Sequence, residues 1–259
     1  EKGKVEMMKA VKVLKFGALT LLYGLLTLFL AACEPGADVD IGTDPQALEV
    51  GQGFTEKDYY YRVTHTSGPA VTADLETTGD FISSGGLSNC DPAIVVVSAD
   101  SPNFDGLFSL GVPEDMPPGD YVLTISLIPT GGGPALTSTD VGITVIEFLT
   151  FGFVPGEEPR WDPEGYFKGK VSVKSDVDAN IGLNFHAKIL PSGEDVAGTL
   201  APPPSYNVTA GETVVHPFSI KYTEVAAGEQ YEVEAFATGE ASGVTSRKTI
   251  AEIVTIPAP

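Results

Sequence analysis

From about residue 58 to the end of the chain, apolar and polar positions alternate in short runs. The segments DYYYRVTH (58–65), AVTADLET (70–77), AIVVVSA (93–99), DGLFSLGV (105–112), DYVLTISLI (120–128) and DVGITVIEF (140–148) are rich in β-branched and aromatic residues and bounded by turn formers. Six more segments repeat this pattern, namely FLTFGFV (148–154), FKGKVSVKS (167–175), IGLNFHAKIL (181–190), TVVHPFSIKY (213–222), QYEVEAFAT (230–238) and RKTIAEIVTI (247–256). A period of two sends successive side chains to opposite faces of a strand, so each run predicts a strand with one buried face. Many short strands at this spacing predict an all-β architecture of packed sheets.

One pattern occurs twice. PPGDYVLTISL (117–127) and AAGEQYEVEAF (226–236) each pass from a turn with Gly, through one or two polar residues, to a Tyr and then to alternation. Tyr121, Leu123, Ile125 and Leu127 share one face; Tyr231, Val233 and Ala235 share the matching face, with Glu232 and Glu234 opposite. The two tyrosines lie 110 residues apart, about the length of one immunoglobulin-type domain. This corner resembles the Tyr-bearing strand of immunoglobulin-like and fibronectin type III domains. The resemblance implies two tandem antiparallel β-sandwiches, 46–147 and 148–259, each with a Tyr that bonds back to the backbone. The second half also resembles bacterial cell-surface adhesion modules of this class. There is no Cys…Trp…Cys pattern, which excludes the antibody type. The stretch TTGDFISSGGLSNCDP (77–92) fits no standard connection, and Trp161 falls in the loop-like EEPRWDPEG. The junction IEFLT (146–150) is short and apolar, which predicts a semi-rigid joint in place of a flexible linker.

The N-terminal third of the first hundred residues has a different pattern. Lys9, Lys12 and Lys15 precede an uncharged run from Phe16 to Ala32. A positive start followed by an apolar run and small residues predicts a signal peptide over 1–32, helical in its apolar part. A retained anchor is the alternative, since an uncharged run of 17 residues sits at the lower limit for a membrane span. Leu30-Ala31-Ala32-Cys33 resembles the lipobox of bacterial lipoproteins. That resemblance implies cleavage before Cys33, a lipid on its sulfur and attachment to the membrane through several acyl chains, because one chain binds only marginally. Glu34 after the cysteine favours the outer membrane or cell surface in a Gram-negative source. The Pro-, Gly- and Asp-containing stretch EPGADVDIGTDP (34–45) reads as a tether between Cys33 and the folded part. With Cys33 lipidated, Cys90 has no disulfide partner, which makes it a small buried hydrophobe.

Charge narrows the partners. The chain carries a net charge of −20, and −23 once residues 1–32 are removed. Such a surface repels nucleic acid, whose binding rests on neutralising phosphates with Lys and Arg, and it suits cations or a basic partner.

Candidate sites are few. Asp176, Asp178 and Asn180 alternate in KSDVDANIG and offer hard oxygen ligands for Ca²⁺. A calcium-loop reading fails, because Ile181 and Ala187 stand where that loop needs Gly and Glu. Trp161 is a candidate aromatic platform for sugar rings, and Tyr59 and Tyr61 share one strand face that could line a ligand surface. His65, His186 and His216 lack zinc spacing. Neither G-x-S-x-G nor G-x-x-x-x-G-K occurs. The sequence therefore leads to a lipid-anchored envelope protein, not an enzyme and with no required cofactor. It would act as a structural, adhesion or binding module for a protein or glycan partner. The alternative is a carbohydrate-binding accessory lipoprotein for polysaccharide capture.

Overall fold

The computed structural model describes residues 37–54, 58–195, 205–222 and 226–257. The stretch read as a signal peptide and lipobox, with Cys33, lies outside the described residues. Among the described residues no helix is long and apolar enough to cross a membrane.

The fold is all-β. The first half contributes β1 (Asp38–Asp44), β2 (Ala47–Gly51), β3 (Asp58–Ser67), β4 (Val71–Thr78), β5 (Leu87–Asp91), β6 (Ile94–Val97), β7 (Asn103–Gly111), β8 (Gly119–Pro129) and β9 (Thr137–Ile146). They form two sheets, β1-β3-β7-β5 and β2-β9-β8-β4-β6. All neighbours are antiparallel except β2 and β9, which run parallel. The opening of the chain thus serves both sheets, with β1 on one and β2 beside the last strand of the other. This is an immunoglobulin-like sandwich. Its core is built from alternate residues, among them Val63, Phe108, Leu110, Leu123, Ile125, Leu127, Val141 and Ile143, each at most 1% exposed.

The second half contributes β10 (Leu149–Phe153), β11 (Arg160–Asp162), β12 (Tyr166–Ser175), β13 (Ala179–Leu190), β14 (Glu194–Asp195), β15 (Ser205–Val208), β16 (Thr213–Lys221), β17 (Gln230–Ala241) and β18 (Val244–Thr255). Strands β10, β11 and β16 all pair with β12, while β13, β17 and β18 run side by side with β14 and β15 on the outer edge of β13. The buried hydrophobic residues form two clusters, one from Val39 to Val145 and one from Phe148 to Ile256.

The repeated tyrosine corner is present in both halves with a chemical difference. The Tyr121 hydroxyl donates to the Pro117 carbonyl at 2.8 Å. The Tyr231 hydroxyl also bonds back to the backbone, at Ala226, and in addition donates to the Glu229 carboxylate at 2.7 Å. Burial, reinforced by that carboxylate, pushes the Tyr231 phenol up to about 12.

Two expectations are corrected, and the stretch that fitted no standard connection is accounted for. The stretch expected as tether holds β1, paired with β3 from Asp38 to Asp44. Val39 and Ile41 point inward and are buried, while Asp38, Asp40 and Asp44 face solvent; two inward apolar residues suffice for an edge strand. Trp161 lies on β11, not in a loop. The irregular stretch after β4 holds a short helix, α1 (Asp80–Ser83), which lays the fully buried Phe81 over the sandwich end. It carries the chain to β5 in the opposite sheet before β6 returns to pair with β4. The Asp80 carboxylate holds α1 in place by accepting the Val122 amide at 2.5 Å.

Candidate functional site

The most elaborately built feature of the molecule is the seam where the two sandwiches meet. The end of β2 meets the beginning of β18, and glycine permits the approach. A Cβ at Gly51 would sit 2.4 Å from the Thr245 carbonyl oxygen. At Gly53, with φ +69, it would sit 2.2 Å from the Arg247 carbonyl oxygen. Between them, Gln52 is 3% exposed. Its carbonyl accepts the Arg247 amide at 2.8 Å and the buried Ser246 hydroxyl at 2.9 Å. Its side-chain amide donates to the Met116 carbonyl at 2.7 Å.

The remaining oxygen of that amide accepts from the Lys248 ammonium at 2.5 Å. Lys248 also donates to the Glu114 carbonyl at 3.1 Å and lies 3.1 Å from the Glu147 carboxylate. The Glu114 carboxylate grips Thr249 twice, accepting its amide and its hydroxyl at 2.5 Å each. Every polar group of Gln52 that the seam removes from water thus finds a partner in the other half or beside it. That matters because an unpaired buried polar group costs about 1–3 kcal/mol. Only two residues, Glu147 and Phe148, separate β9 from β10. Phe148 and Leu149 pack against Gly239 of β17, where a Cβ would lie 2.9–3.0 Å from their side chains.

The residues singled out in the sequence are scattered. Tyr59 and Tyr61 do share a face, and it is the inner one: they are 8% and 1% exposed. Tyr59 packs on Phe108, and the Tyr61 hydroxyl donates to the Pro92 carbonyl at 2.8 Å. Burial raises both phenols above their usual value. Neither ring is open to a ligand; the exposed member of the triplet is Tyr60, at 65%. Trp161 is half-buried and meets Phe167 edge-on at 5.1 Å, as part of the second core. Cys90 is buried opposite Phe108, and desolvation pushes its thiol up to about 11.

Asp176 and Asp178 go separate ways. Asp176 pairs with Lys174 at 3.1 Å, whereas Asp178 accepts the Ala210 amide at 2.8 Å. Asp178 and Asn180 line a shallow polar cleft of about 400 Å³ together with Asn207, Thr209 and Glu240. Asn180 accepts from Ser205 at 2.9 Å and donates to Asn207 at 3.3 Å. Among the described residues no group of three His, Cys, Asp or Glu side chains is placed to hold a metal ion. A cluster of titratable groups lies on the outer face of β13 and β17. There the Glu234 carboxylate faces the His186 ring and accepts from Lys188 at 2.9 Å through both oxygens. That bond holds Lys188 above its usual value. Neither partner of Glu234 is a hydroxyl or a thiol.

No family model matches the chain, and no curated protein matches it. Solved structures with similar architecture include domains 4 and 5 of the S-layer protein SbsC, at 14% identity over 43% of this chain and 54% of that one, with a TM-score of 0.29. The CBD12 unit of CALX1.2 aligns at 12% identity over 83% of this chain and 99% of its own, with a TM-score of 0.29. A protein of unknown function from Porphyromonas gingivalis aligns at 11% identity over 82% and 100%, with a TM-score of 0.32. At these scores none of them carries an argument about what this chain does. The immunoglobulin-like assignment rests on the chain's own strand order.

Proposed function

We propose that this chain is a non-catalytic module of the bacterial cell envelope, lipid-anchored through Cys33, whose two sandwiches act as one stiff arm holding a binding surface away from the membrane. The observation that carries the reading is the seam. Gln52, Glu114, Ser246, Lys248 and Thr249 are spent on holding two halves together, and a chain whose halves worked independently would have no use for them. The lipobox-like Leu30-Ala31-Ala32-Cys33 supports the anchor. The strongly negative charge supports solubility and a basic or cationic partner. The carbohydrate alternative finds little support in the residues that suggested it, since Tyr59 and Tyr61 are buried and Trp161 packs on Phe167.

The anchor is tested by intact-mass spectrometry of the protein extracted from its native membrane. The expected product begins at Cys33 and carries acyl mass on that residue. A mature chain that retains residues before Cys33, or that carries Cys33 unmodified, contradicts the proposal.

A further inference from the structure

The outer face of the β1-β3-β7-β5 sheet carries a row of side chains that the core does not explain. The register places Asp44, Tyr60, Leu107 and Asp91 side by side across the four strands. All four lie on the outward-facing parity, opposite the buried Ile41, Tyr61, Phe108 and Cys90. Tyr60 stands near the middle of this row, 65% exposed, on an inner strand. One row away on β1, opposite Arg62, Gly42 offers no side chain, and a Cβ built there meets nothing within 4 Å. Asp58 precedes Tyr60 by two residues on the same strand and face and is exposed. In the next row Arg62 is engaged by Asp105 at 2.6 Å, an exposed pair that raises the guanidinium and lowers the carboxyl. Asp44, Asp58 and Asp91 therefore flank an open aromatic ring, and the neighbouring cation is already taken.

We propose that this face docks a basic segment of a protein partner, with a lysine or arginine over Tyr60 and flanking basic residues on Asp44 and Asp91. A cation over an aromatic face is drawn to the ring. Carboxylates on either side reinforce that attraction and disfavour an anionic competitor. Strands lie about 4.8 Å apart, so Asp44 and Asp91 stand about 14 Å from each other. An extended chain with basic residues four apart covers that same span, and its middle residue falls between Tyr60 and Leu107, where a long basic side chain reaches the ring. Charge complementarity selects the occupant, since the chain as a whole carries −20. The inference rests on the reading of the chain as a binding module and is independent of the lipid anchor.

The test is an NMR titration of the full chain with the peptide KTRTK, with its acidic counterpart ETETE, and with maltohexaose as a neutral glycan. The expected result is KTRTK binding that shifts the amides of Tyr60, Leu107 and Asp91, with no response to ETETE. Tyr60→Ala should weaken it at least about threefold and Tyr60→Phe should retain it, because the ring face survives. The double variant Asp44→Asn, Asp91→Asn should weaken it at least about threefold, whereas Asp176→Asn, Asp178→Asn, which removes equal charge from the other sandwich, should change it less than about twofold. KTRTK binding that is indifferent to Tyr60→Ala, or that is centred elsewhere, overturns the proposal. Maltohexaose binding lost in Tyr60→Ala without KTRTK binding overturns the basic partner while keeping the binding module. A response to none of the three probes removes both.

Discussion

At the scale of single residues, environment decides what each aromatic or titratable group does. Tyr59, Tyr60 and Tyr61 are chemically identical, yet two build the core and one faces water. Alternation made that division legible in the sequence, but not which parity faced inward; only the pairing of β3 between β1 and β7 settles it. The Tyr121 hydroxyl bond to Pro117 should be worth about 1 kcal/mol, so Tyr121→Phe should lower the unfolding free energy by that amount in urea titration. His216 makes a second case. Its ring stacks on Phe185 at 6.0 Å, its Nδ1 meets the Tyr206 hydroxyl, and burial lowers its pKa below the usual 6.5. The unfolded chain therefore binds a proton that the folded one resists, and stability rises with pH through this window. The contribution is present in full above the unfolded value and is lost as pH falls through 6.5 toward the folded value. Unfolding free energies measured between about pH 8 and 5 should fall more steeply for the wild type than for His216→Gln. Equal slopes would contradict the assignment.

At the scale of elements, nearly every strand with a clear period of two was legible, because a half-buried strand must alternate. The elements that escaped detection are those whose burial is brief or one-sided. Strand β1 shows only Val39 and Ile41 among acids, Gly and Thr, and so has the composition of a tether. Strand β11 is three residues long. Helix α1 buries a single side chain, Phe81, and so short a segment carries no helical period. These hidden elements matter energetically. Ile41→Ala should cost about 2–4 kcal/mol, as a large-to-small change in a core, whereas Asp40→Ala on the same strand should stay within about 0.5 kcal/mol. Thermal or urea unfolding of the two variants distinguishes an edge strand from a tether, which would tolerate both.

At the scale of the whole molecule, the two-sandwich plan could be read from the repeated tyrosine corner, but the seam could not. Gln52, Glu114, Ser246, Lys248 and Thr249 are ordinary polar residues far apart in sequence, and nothing in their local pattern says that they meet. The same holds for the Asp44-Tyr60-Leu107-Asp91 row, which exists only once three strand registers are fixed. Replacing Gln52 by Ala leaves the Met116 carbonyl and the Lys248 ammonium each short of a partner. Calorimetry should then show the single unfolding transition of the wild type split into two, with the change confined to the coupling between halves. The central claim is that the seam makes one rigid body of the two sandwiches. Its most direct test is the set of amide residual dipolar couplings measured for both halves in one alignment medium. A single alignment tensor that fits residues of both sandwiches is the predicted result; tensors of different magnitude for the two halves would contradict it.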